Sequence, residues 1–396
     1  MAETSSQRSS LKDFLASLAT IKGDLSNITA PPFVLADKST TEFPRYWIEQ
    51  PDLFCAPAQE QDAAKRMLAV LTWFLASLKA QQYAGRDPSE GTKKPLNAFL
   101  GEIFTGSCGP ENDETKLVAE QVSHHPPVTA CYLWNEKNGI RAEGYTRQEI
   151  TFNGSVNIQQ IGHAVLHIDA FDEDYLIPLP NIKVKGILTG SPYPELQGSY
   201  SIISSAGYVA DIEFSGTKLL GLGGTKNHVE AGIYRADDTS RKERLFHAAG
   251  SWSDKFEIQD HVGTVITTYD VTSAKPAPFR TLAPNEQDPW ESRSAWGGVI
   301  KAIDEGDMQG VADHKSALEN AQREMRKQPE TDEKSWKALF FKPGENAVAE
   351  RLSRQIGKDL APEKTCGVWR YDASAFASAK RPWRENLTPH GPTNKA

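Results

Sequence analysis

The sequence carries no signal for export or membrane insertion. Its first ten residues, MAETSSQRSS, lack the apolar segment of a secretory signal, and the longest apolar-rich run, Met67–Leu78, is too short to span a bilayer. No Cys-x-x-Cys pair occurs, which argues against a zinc finger and a disulfide framework. We therefore expect a soluble cytoplasmic protein with four reduced cysteines, namely Cys55, Cys108, Cys131 and Cys366.

Positive charge is also scarce. The 396 residues include 44 lysines and arginines against 52 aspartates and glutamates, which gives a net charge of −8. A protein that binds nucleic acid non-specifically needs a basic face to neutralise phosphates, so no nucleic-acid partner is expected. An anionic ligand would have to be met by a local basic cluster.

Catalytic signatures are missing as well. There is no Gly-x-Ser-x-Gly elbow, no Walker A sequence and no His-Glu-x-x-His, and Gly221-Leu-Gly223 lacks the rest of a dinucleotide fingerprint. Neither the cysteines nor the acidic residues supply the spacing of a metal site. The sequence therefore predicts a protein that is not an enzyme and that uses no cofactor and no metal.

Three segments show the apolar periodicity of helices. Near the start, apolar residues recur every three or four positions, as on one face of a short helix that either packs on the core or forms a movable lid. A second pattern runs from Gln59 to Tyr83, and a third from Gly306 to Gln328. The apolar residues of the first segment are Leu11, Phe14, Leu15, Leu18 and Ile21.

From Leu117 to Asp270 the pattern changes to short β-rich runs separated by turn residues. Because such short loops join antiparallel neighbours, these runs predict a meander that closes into a barrel or a large curved sheet. We divide the chain into a lid (1–29), a helical segment with a loop (30–116), the barrel core (117–275) and a C-terminal subdomain (276–396). The predicted strands include Val128–Trp134, Ile140–Ile150, Val156–Ile168, Tyr208–Phe214 and Val262–Tyr269.

Residues 120–128 read EQVSHHPPV, with two adjacent histidines directly before two prolines. Pro126 restricts His125 to extended backbone and Pro127 prevents a continuing helix, so the segment predicts a stiff corner. Two imidazoles with up to four N–H donors suit a dianionic phosphate. On chemistry alone, two histidines bonded to backbone carbonyls are the favoured interpretation, and a metal site is the weaker one.

This segment resembles the signature of oxysterol-binding-protein-related proteins, and the resemblance extends over nearly the whole chain. Residues 93–102, KKPLNAFLGE, are similar to the family's lysine-bearing loop, residues 30–33 to the junction after its lid, and residues 288–296 to the segment before its late helix. The short fungal members, which consist of the lipid-binding domain alone, are the most similar in pattern. The resemblance implies a mainly β fold with added helices, an incomplete antiparallel β-barrel around a lipid tunnel, with an N-terminal lid and a C-terminal α-helical subdomain.

The resemblance also implies that the tunnel mouth binds the headgroup of phosphatidylinositol 4-phosphate. Lys315, Glu319 and Arg323 match the family's Lys-x3-Glu-x3-Arg pattern, whose spacing keeps them on one helix face. Spacing alone would favour a solvated ladder of ion pairs. The implied headgroup residues are Lys94, Asn97, His124, His125, Lys315, Glu319 and Arg323.

For the apolar ligand, the resemblance implies a separate set of residues along the tunnel. Gln82 stands where the family pattern has a tyrosine, with Tyr83 one residue later, and Thr146 stands where it has an asparagine. Because a few polar groups set the selectivity of such a pocket, these departures leave the second lipid open. The implied tunnel residues are Trp47, Gln81, Tyr83, Thr146 and Gln160.

The function that the resemblance implies is lipid transfer, one lipid at a time. The expected exchange is a sterol of the ergosterol or cholesterol type for phosphatidylinositol 4-phosphate, carried by a monomer that touches Golgi-type and endoplasmic-reticulum-type membranes transiently. Two alternatives stay open within the family: exchange of phosphatidylserine or another glycerophospholipid for the phosphoinositide, and a lipid sensor without net transport. A lipid hydrolase with His124 as base has no evident nucleophile.

Overall fold

The computed structural model describes residues 13, 14, 16, 20, 23–25, 30–187, 190–217 and 224–392. Of the predicted lid residues, Phe14 is described, and Leu11, Leu15, Leu18 and Ile21 lie outside the described residues. Among the residues that are described, no helix is both long and apolar enough to cross a membrane.

Within these residues, fourteen strands form one antiparallel sheet. The strands of the chain are β1 (Leu35–Ser39), β2 (Lys94–Leu96), β3 (Ile103–Cys108), β4 (Thr115–His124), β5 (Pro127–Asn135), β6 (Ile140–Phe152), β7 (Val156–Ile168), β8 (Glu173–Ile177), β9 (Asn181–Lys185), β10 (Tyr193–Ser204), β11 (Tyr208–Ser215), β12 (His228–Arg235), β13 (Phe246–Ser251), β14 (Lys255–Asp260), β15 (Val265–Asp270), β16 (Phe279–Arg280), β17 (Phe341–Gly344), β18 (Val368–Tyr371), β19 (Leu387–Thr388) and β20 (Gly391–Pro392). The large sheet runs β15-β14-β13-β12-β11-β10-β8-β7-β6-β5-β4-β3-β16, with β9 beside β7 and β10. The meander that the turn spacing predicts is therefore confirmed.

Helices lie before and after the sheet in the chain. The α-helices are α1 (Pro51–Gln59), α2 (Ala63–Tyr83), α3 (Ser292–Ala295), α4 (Gly297–Glu305), α5 (Met308–Met325), α6 (Ala347–Gln355) and α7 (Ala373–Ser378). Short 3-10 helices are Pro32–Val34, Thr40–Trp47, Pro88–Glu90, Asp169–Phe171 and Pro362–Thr365. The mainly β fold with added helices agrees with the fold that the resemblance implies.

Two helix boundaries differ from the predicted ones because aspartates cap the helices. The predicted helix from Gln59 to Tyr83 begins instead at Ala63, since the carboxylate of Asp62 accepts the backbone N–H of Lys65 at 2.9 Å. The late helix begins at Met308 rather than Gly306, and Asp307 caps it in the same way. Helix α5 then ends at Met325, before the predicted Gln328.

One strand prediction is wrong at its start. Residues 262–264 form the β14–β15 turn, because the carboxylate of Asp260 accepts the backbone N–H groups of Val262 and Thr264 at 3.0 and 2.8 Å. Gly263 supplies the positive φ of +86° that the turn needs. Strand β15 therefore begins at Val265, and its first residues are exposed at the edge of the sheet.

Helix α2 fills one end of the curved sheet. Its buried residues Leu71 and Phe74 belong to one apolar core with Leu133, Leu166 and Tyr175 from the sheet interior. The start of α2 is tied to the β7–β8 turn, where Arg66 and Glu173 form a buried ion pair at 2.5 Å. We call this the closed end, and the opposite end, which carries the β4–β5 and β6–β7 turns, the mouth.

The C-terminal residues cover the outside of the sheet. Alternation along β4 directs Glu120 outward, where its carboxylate accepts the backbone N–H groups of Leu339 and Phe340 at 2.7 and 2.8 Å. Apolar residues of β4 and β5 pack there against Trp336, Phe340, Phe341, Trp369 and Trp383. In the sequence these aromatic residues are spaced among charged ones, and their packing holds the C-terminal segment on the barrel. The division of the chain at residues 29, 116 and 275 stays a prediction.

Candidate functional site

A cavity of about 1030 Å3 lies between the end of α2 and the mouth of the barrel. Much of its wall is made by residues of β5, β6 and β7, mostly at alternate positions, and intervening residues of β5 and β6 face the C-terminal segment. Examples are Cys131 and Ile158 on the cavity side and Ala130 on the outer side. A cavity of this size with a largely apolar wall suits a single lipid.

Four of the five predicted tunnel residues line this cavity, namely Trp47, Gln81, Thr146 and Gln160. The side chain of Gln81 donates to Ser77 Oγ at 2.8 Å, and Gln160 donates to the carbonyl oxygen of Pro180 at 2.7 Å. Tyr83, the fifth, is only 1% exposed and lies in the core around α2. At position 82, where the family pattern has a tyrosine, this chain therefore places Gln82 in the cavity wall, and Tyr83 does not line the cavity.

Thr146 offers an unused polar group to the cavity. Its Oγ1 is buried and has no hydrogen-bond partner in the described part of the chain. A buried hydroxyl without a partner costs free energy, which a ligand hydroxyl could recover. Gln121, from the EQVSHHPPV segment, also lines the cavity, and its amide oxygen accepts the hydroxyl of Thr129 at 2.6 Å.

Lys94 and Asn97 lie where the cavity opens at the mouth. Burial and the nearby positive charge of Lys315 lower the pKa of Lys94 to about 8, and Glu319 acts in the opposite direction. The structure thus brings Lys94 close to two predicted residues that are more than 200 positions later in the chain. This ammonium group titrates near physiological pH.

On α5, the predicted residues form the ladder that their spacing suggests. The ammonium of Lys315 donates to Glu319, and Arg323 Nη2 lies 3.7 Å from the other carboxylate oxygen of Glu319. The guanidinium of Arg323 also donates to Asn320 at 2.6 Å, and its side chain is 55% exposed. The geometry is therefore compatible with a ladder of ion pairs and also with a role in binding the headgroup, because the ladder lies beside the mouth.

His124 and His125 form the corner between β4 and β5. Nδ1 of His124 lies 3.2 Å from the carbonyl oxygen of Ala98, which can only accept, so this nitrogen carries the proton. Nδ1 of His125 lies 2.5 Å from Oε1 of Glu333. Because both Nδ1 atoms are engaged, the four donors that the sequence suggests are reduced to the two Nε2 positions as long as Glu333 holds His125.

The two imidazoles differ in environment. His124 is half-buried, and burial together with the positive charge of Arg326 lowers its pKa to about 3. His125 is exposed, and the two rings meet edge to face with centroids 4.8 Å apart. A phosphate dianion bound here would favour the protonated form of His124 and would therefore bind together with a proton.

Arg326 and Glu333 are site residues that the sequence reasoning missed. Arg326 Nε lies 3.8 Å from Glu333, and its buried Nη1 has no hydrogen-bond partner among the described residues. The one available signal was its spacing, since Arg326 follows Arg323 by three positions and so shares its helix face. Glu333 gave no signal, because it lies in a polar stretch after Pro329.

The loop that carries Asn97 and Ala98 is fixed by a buried carboxylate. Glu102, the last residue of the KKPLNAFLGE segment, is fully buried and accepts four donors at 2.6–3.2 Å. These donors are Thr41 Oγ1, Ser292 Oγ, Trp296 Nε1 and the backbone N–H of Phe99. Glu102 therefore holds the loop to two distant segments and does not face the cavity.

The N-terminal segment reaches the mouth at Leu25. The backbone N–H of Leu25 donates to the carbonyl oxygen of Ile150 at 2.7 Å. The Asp24 carboxylate accepts the backbone N–H of Ile150 at 2.8 Å. Leu25 is buried in a small apolar cluster at the cavity opening, and Phe14 lines the cavity as well. The other members of this cluster are Phe14, Ile150, Phe152 and Ile187.

Comparison with known proteins gives consistent results. The model of the family described as oxysterol-binding protein matches residues 14–298. The chain is 55% identical over 377 residues to "Probable transporter efuK" of Hormonema carpetanum, covering 94% of this chain but 54% of that protein. It is 38% identical to protein kes1 of Schizosaccharomyces pombe over 344 residues, which are 85% of this chain and 87% of kes1. The chain thus spans about half of the first relative and most of the second.

Solved structures share the fold. The Osh1 ORD domain in complex with ergosterol aligns with a TM-score of 0.69 at 20% identity, covering 96% of this chain and 90% of that one. The Osh3 ORD of Saccharomyces cerevisiae in complex with PI(4)P aligns with a TM-score of 0.66 at 20% identity, covering 85% and 87%.

Proposed function

Because the chain belongs to the oxysterol-binding protein family, we propose that it is a lipid-transfer protein that exchanges a sterol for phosphatidylinositol 4-phosphate between membranes. It carries one lipid at a time, and the two ligands compete for the same cavity. The exchange takes place at the cytosolic faces of Golgi-type and endoplasmic-reticulum-type membranes. Solved relatives bound to ergosterol and to PI(4)P support this choice of ligands.

The observation that carries the proposal is the combination of one apolar cavity with a cationic mouth. The 1030 Å3 cavity accommodates an apolar body, and burial contributes about 25 cal/mol per Å2 of area removed from water. A bilayer offers a similar apolar environment, so uptake and release are close to balanced. At the mouth, Lys94, Arg323 and Arg326 supply positive charge for a phosphate, beside the two histidines.

A two-vesicle assay tests the exchange. Donor vesicles contain a fluorescent sterol, acceptor vesicles contain phosphatidylinositol 4-phosphate, and both lipids are followed over time. We expect sterol transfer to accelerate when phosphatidylinositol 4-phosphate is present on the acceptor side. Binding of both lipids without any transfer would identify a sensor and refute the proposed exchange.

An anionic glycerophospholipid is the second candidate for the apolar partner. Arg86 and Lys93 line the cavity, and Nε of Arg86 is buried without a hydrogen-bond partner among the described residues. A sterol offers such cations only a neutral hydroxyl, whereas a glycerophosphate offers a negative charge and several acceptor oxygens. Mass spectrometry of the lipids that co-purify with the protein distinguishes the two candidates.

The proposed cycle breaks no covalent bond. Hydrolysis would require His124 to act as a base. Its Nδ1 is hydrogen-bonded to the carbonyl oxygen of Ala98, and its pKa is lowered to about 3, so its ring is too weak a base to abstract a proton efficiently. We therefore propose that the protein is not an enzyme. Incubation with labelled phosphatidylinositol 4-phosphate should return the lipid intact, and a labelled product would contradict this.

We expect phosphoinositide affinity to fall as the pH rises through about 8. Lys94 has a lowered pKa of about 8, so its ammonium is charged below this pH and neutral above it. The loss should reach about tenfold, since one charge-assisted hydrogen bond to phosphate is worth about 1.5 kcal/mol or more. The measurement is phosphoinositide extraction over a pH series above about 7, where the phosphate is already dianionic.

Lys94→Arg serves as the control for this pH dependence, because a guanidinium stays charged throughout the series. In this variant, phosphoinositide affinity should stay nearly constant above pH about 8. An unchanged decline would assign the titration to another group.

We expect Leu25→Asp to accelerate lipid release without unfolding the barrel. The substitution places a carboxylate in the apolar cluster with Phe14 and Ile150, which should detach the N-terminal segment from the mouth. Release of a fluorescent sterol, followed by stopped flow, should become about tenfold faster. The reason is that the lost apolar contact between Leu25 and its cluster is worth about 1.5 kcal/mol. Deletion of residues 1–29 should have the same effect.

Leu282→Asp is the matched control for Leu25→Asp, because Leu282 is 40% exposed and lies outside the cavity wall. Equal release rates for both variants would contradict a covering role of the N-terminal segment. Loss of folding in the Leu25 variant would instead indicate core packing.

A further inference from the structure

Glu333 lies where an anion would meet His125 and Arg326. Its Oε1 is 2.5 Å from Nδ1 of His125 and 3.8 Å from Nε of Arg326. Carboxylate and phosphate oxygens are acceptors of the same kind, so these donors can serve one of them at a time. In the described part of the chain, Glu333 is the one carboxylate that lies within 4 Å of charged or chargeable nitrogens of both side chains.

The backbone around Glu333 is held by bonds that do not involve its side chain. The carboxylate of Asp332 accepts the backbone N–H groups of Lys334 and Ser335 at 3.1 and 2.7 Å. Trp336 donates its backbone N–H to the carbonyl oxygen of Asp332 at 2.9 Å, and its ring packs against Gly101. The turn therefore presents Glu333 to the histidine, and the carboxylate can leave without unfolding the turn.

Positive charge at this corner exceeds what Glu333 neutralises. Nη1 of Arg326 is buried without a hydrogen-bond partner among the described residues, and the charge of Arg323 also acts on Arg326 and on His124. A phosphomonoester carries a charge of about −1.5 to −2 and three terminal oxygens, so it satisfies more of these donors than one carboxylate does.

We propose that Glu333 is an internal competitor for the phosphomonoester that the mouth binds, and that it lowers the affinity so that the ligand can be released. This inference rests on the proposed function. On binding, the phosphate takes His125 and Arg326, and the side chain of Glu333, which is already 29% exposed, turns to solvent. On release, the carboxylate returns, so His125 Nδ1 regains its acceptor and Arg326 regains its ion pair.

Glu333→Gln tests this role, and Glu330→Gln is its matched control. Both substitutions remove one negative charge from the same turn, but Glu330 is exposed and three residues away from the site. The probes are phosphatidylcholine vesicles that contain either phosphatidylinositol 4-phosphate or phosphatidylinositol, which lacks the 4-phosphate. We expect Glu333→Gln to bind phosphatidylinositol 4-phosphate about tenfold more tightly than Glu330→Gln, with slower release, and to leave phosphatidylinositol binding unchanged.

Inorganic phosphate is a second probe, because it offers the same chemistry without a lipid. It should inhibit phosphatidylinositol 4-phosphate extraction by Glu333→Gln at lower concentrations than it inhibits the control. Equal affinities of the two variants for phosphatidylinositol 4-phosphate would overturn the inference, as would an equal gain for phosphatidylinositol. If the wild type and both variants extract no phosphatidylinositol 4-phosphate, the proposed function itself fails.

Discussion

Replacing His124 and His125 together with alanine should abolish phosphoinositide extraction and leave sterol binding intact. His124 can give one charge-assisted hydrogen bond through Nε2, and His125 can give one through Nδ1 once Glu333 has left it, each worth about 1.5–3 kcal/mol. The loss of both should weaken phosphatidylinositol 4-phosphate binding at least about a hundredfold. The cavity wall formed by Trp47, Gln81 and Gln160 is not touched by the substitution.

The measurement is parallel binding of a fluorescent sterol and extraction of phosphatidylinositol 4-phosphate from vesicles. His247→Ala/His261→Ala is the matched control, because these histidines lie on β13 and in the β14–β15 turn, away from the mouth. A folded double variant at positions 124 and 125 that loses both ligands equally would show that the histidines support the barrel and do not contact phosphate.

Replacing Glu102 with alanine should produce the largest loss of stability. The substitution removes four buried hydrogen bonds and leaves Trp296 Nε1 and the backbone N–H of Phe99 without an acceptor, whereas Thr41 and Ser292 keep the bond between their hydroxyls. Each unsatisfied donor costs about 1–3 kcal/mol. The free energy of unfolding should fall by about 4 kcal/mol or more, a large part of the 5–15 kcal/mol typical of a folded domain. Lipid binding should be lost with it, because Glu102 fixes the loop that carries Asn97 and Ala98.

Urea unfolding of the Glu102→Ala, Glu102→Gln and Glu111→Ala variants measures this effect. Glu111 is exposed, so its substitution controls for the loss of a negative charge. Glutamine at position 102 keeps one acceptor oxygen and should be intermediate. If Glu102→Ala is as stable as Glu111→Ala, the four hydrogen bonds do not hold the loop.

The strands and the cavity wall were predictable because they depend on local alternation. Runs such as Ile140–Ile150 and Val156–Ile168 have a period of two and clear turn residues, and the strands β6 and β7 cover them. The wrong start at Val262 has a local cause too, since Asp260 caps a turn that the apolar run conceals. The helix starts differ for the same reason, through Asp62 and Asp307.

The site was predictable in part, through the resemblance. That resemblance assigns the histidines and the ladder on α5, but no pattern joins His125 to Glu333, which are 208 residues apart in the chain. For Tyr83 the resemblance gave a wrong assignment, since it placed this residue in the tunnel. One position along a helix turns a side chain by about 100°, and this rotation puts Tyr83 in the core. Partners brought together only by tertiary folding leave no trace in a single sequence.

In the part of the chain that the structure describes, the helix that fills the closed end of the barrel leaves the mouth as the opening of the cavity. Since the side chains of α2 pack against Leu133 and Leu166, a lipid cannot pass through and must leave by the route it entered. A second lipid therefore cannot push the first one out from behind. Each turnover has to be a strict sequence of emptying and refilling at one membrane, so double-reciprocal plots of exchange rate against the two lipid concentrations should be parallel lines.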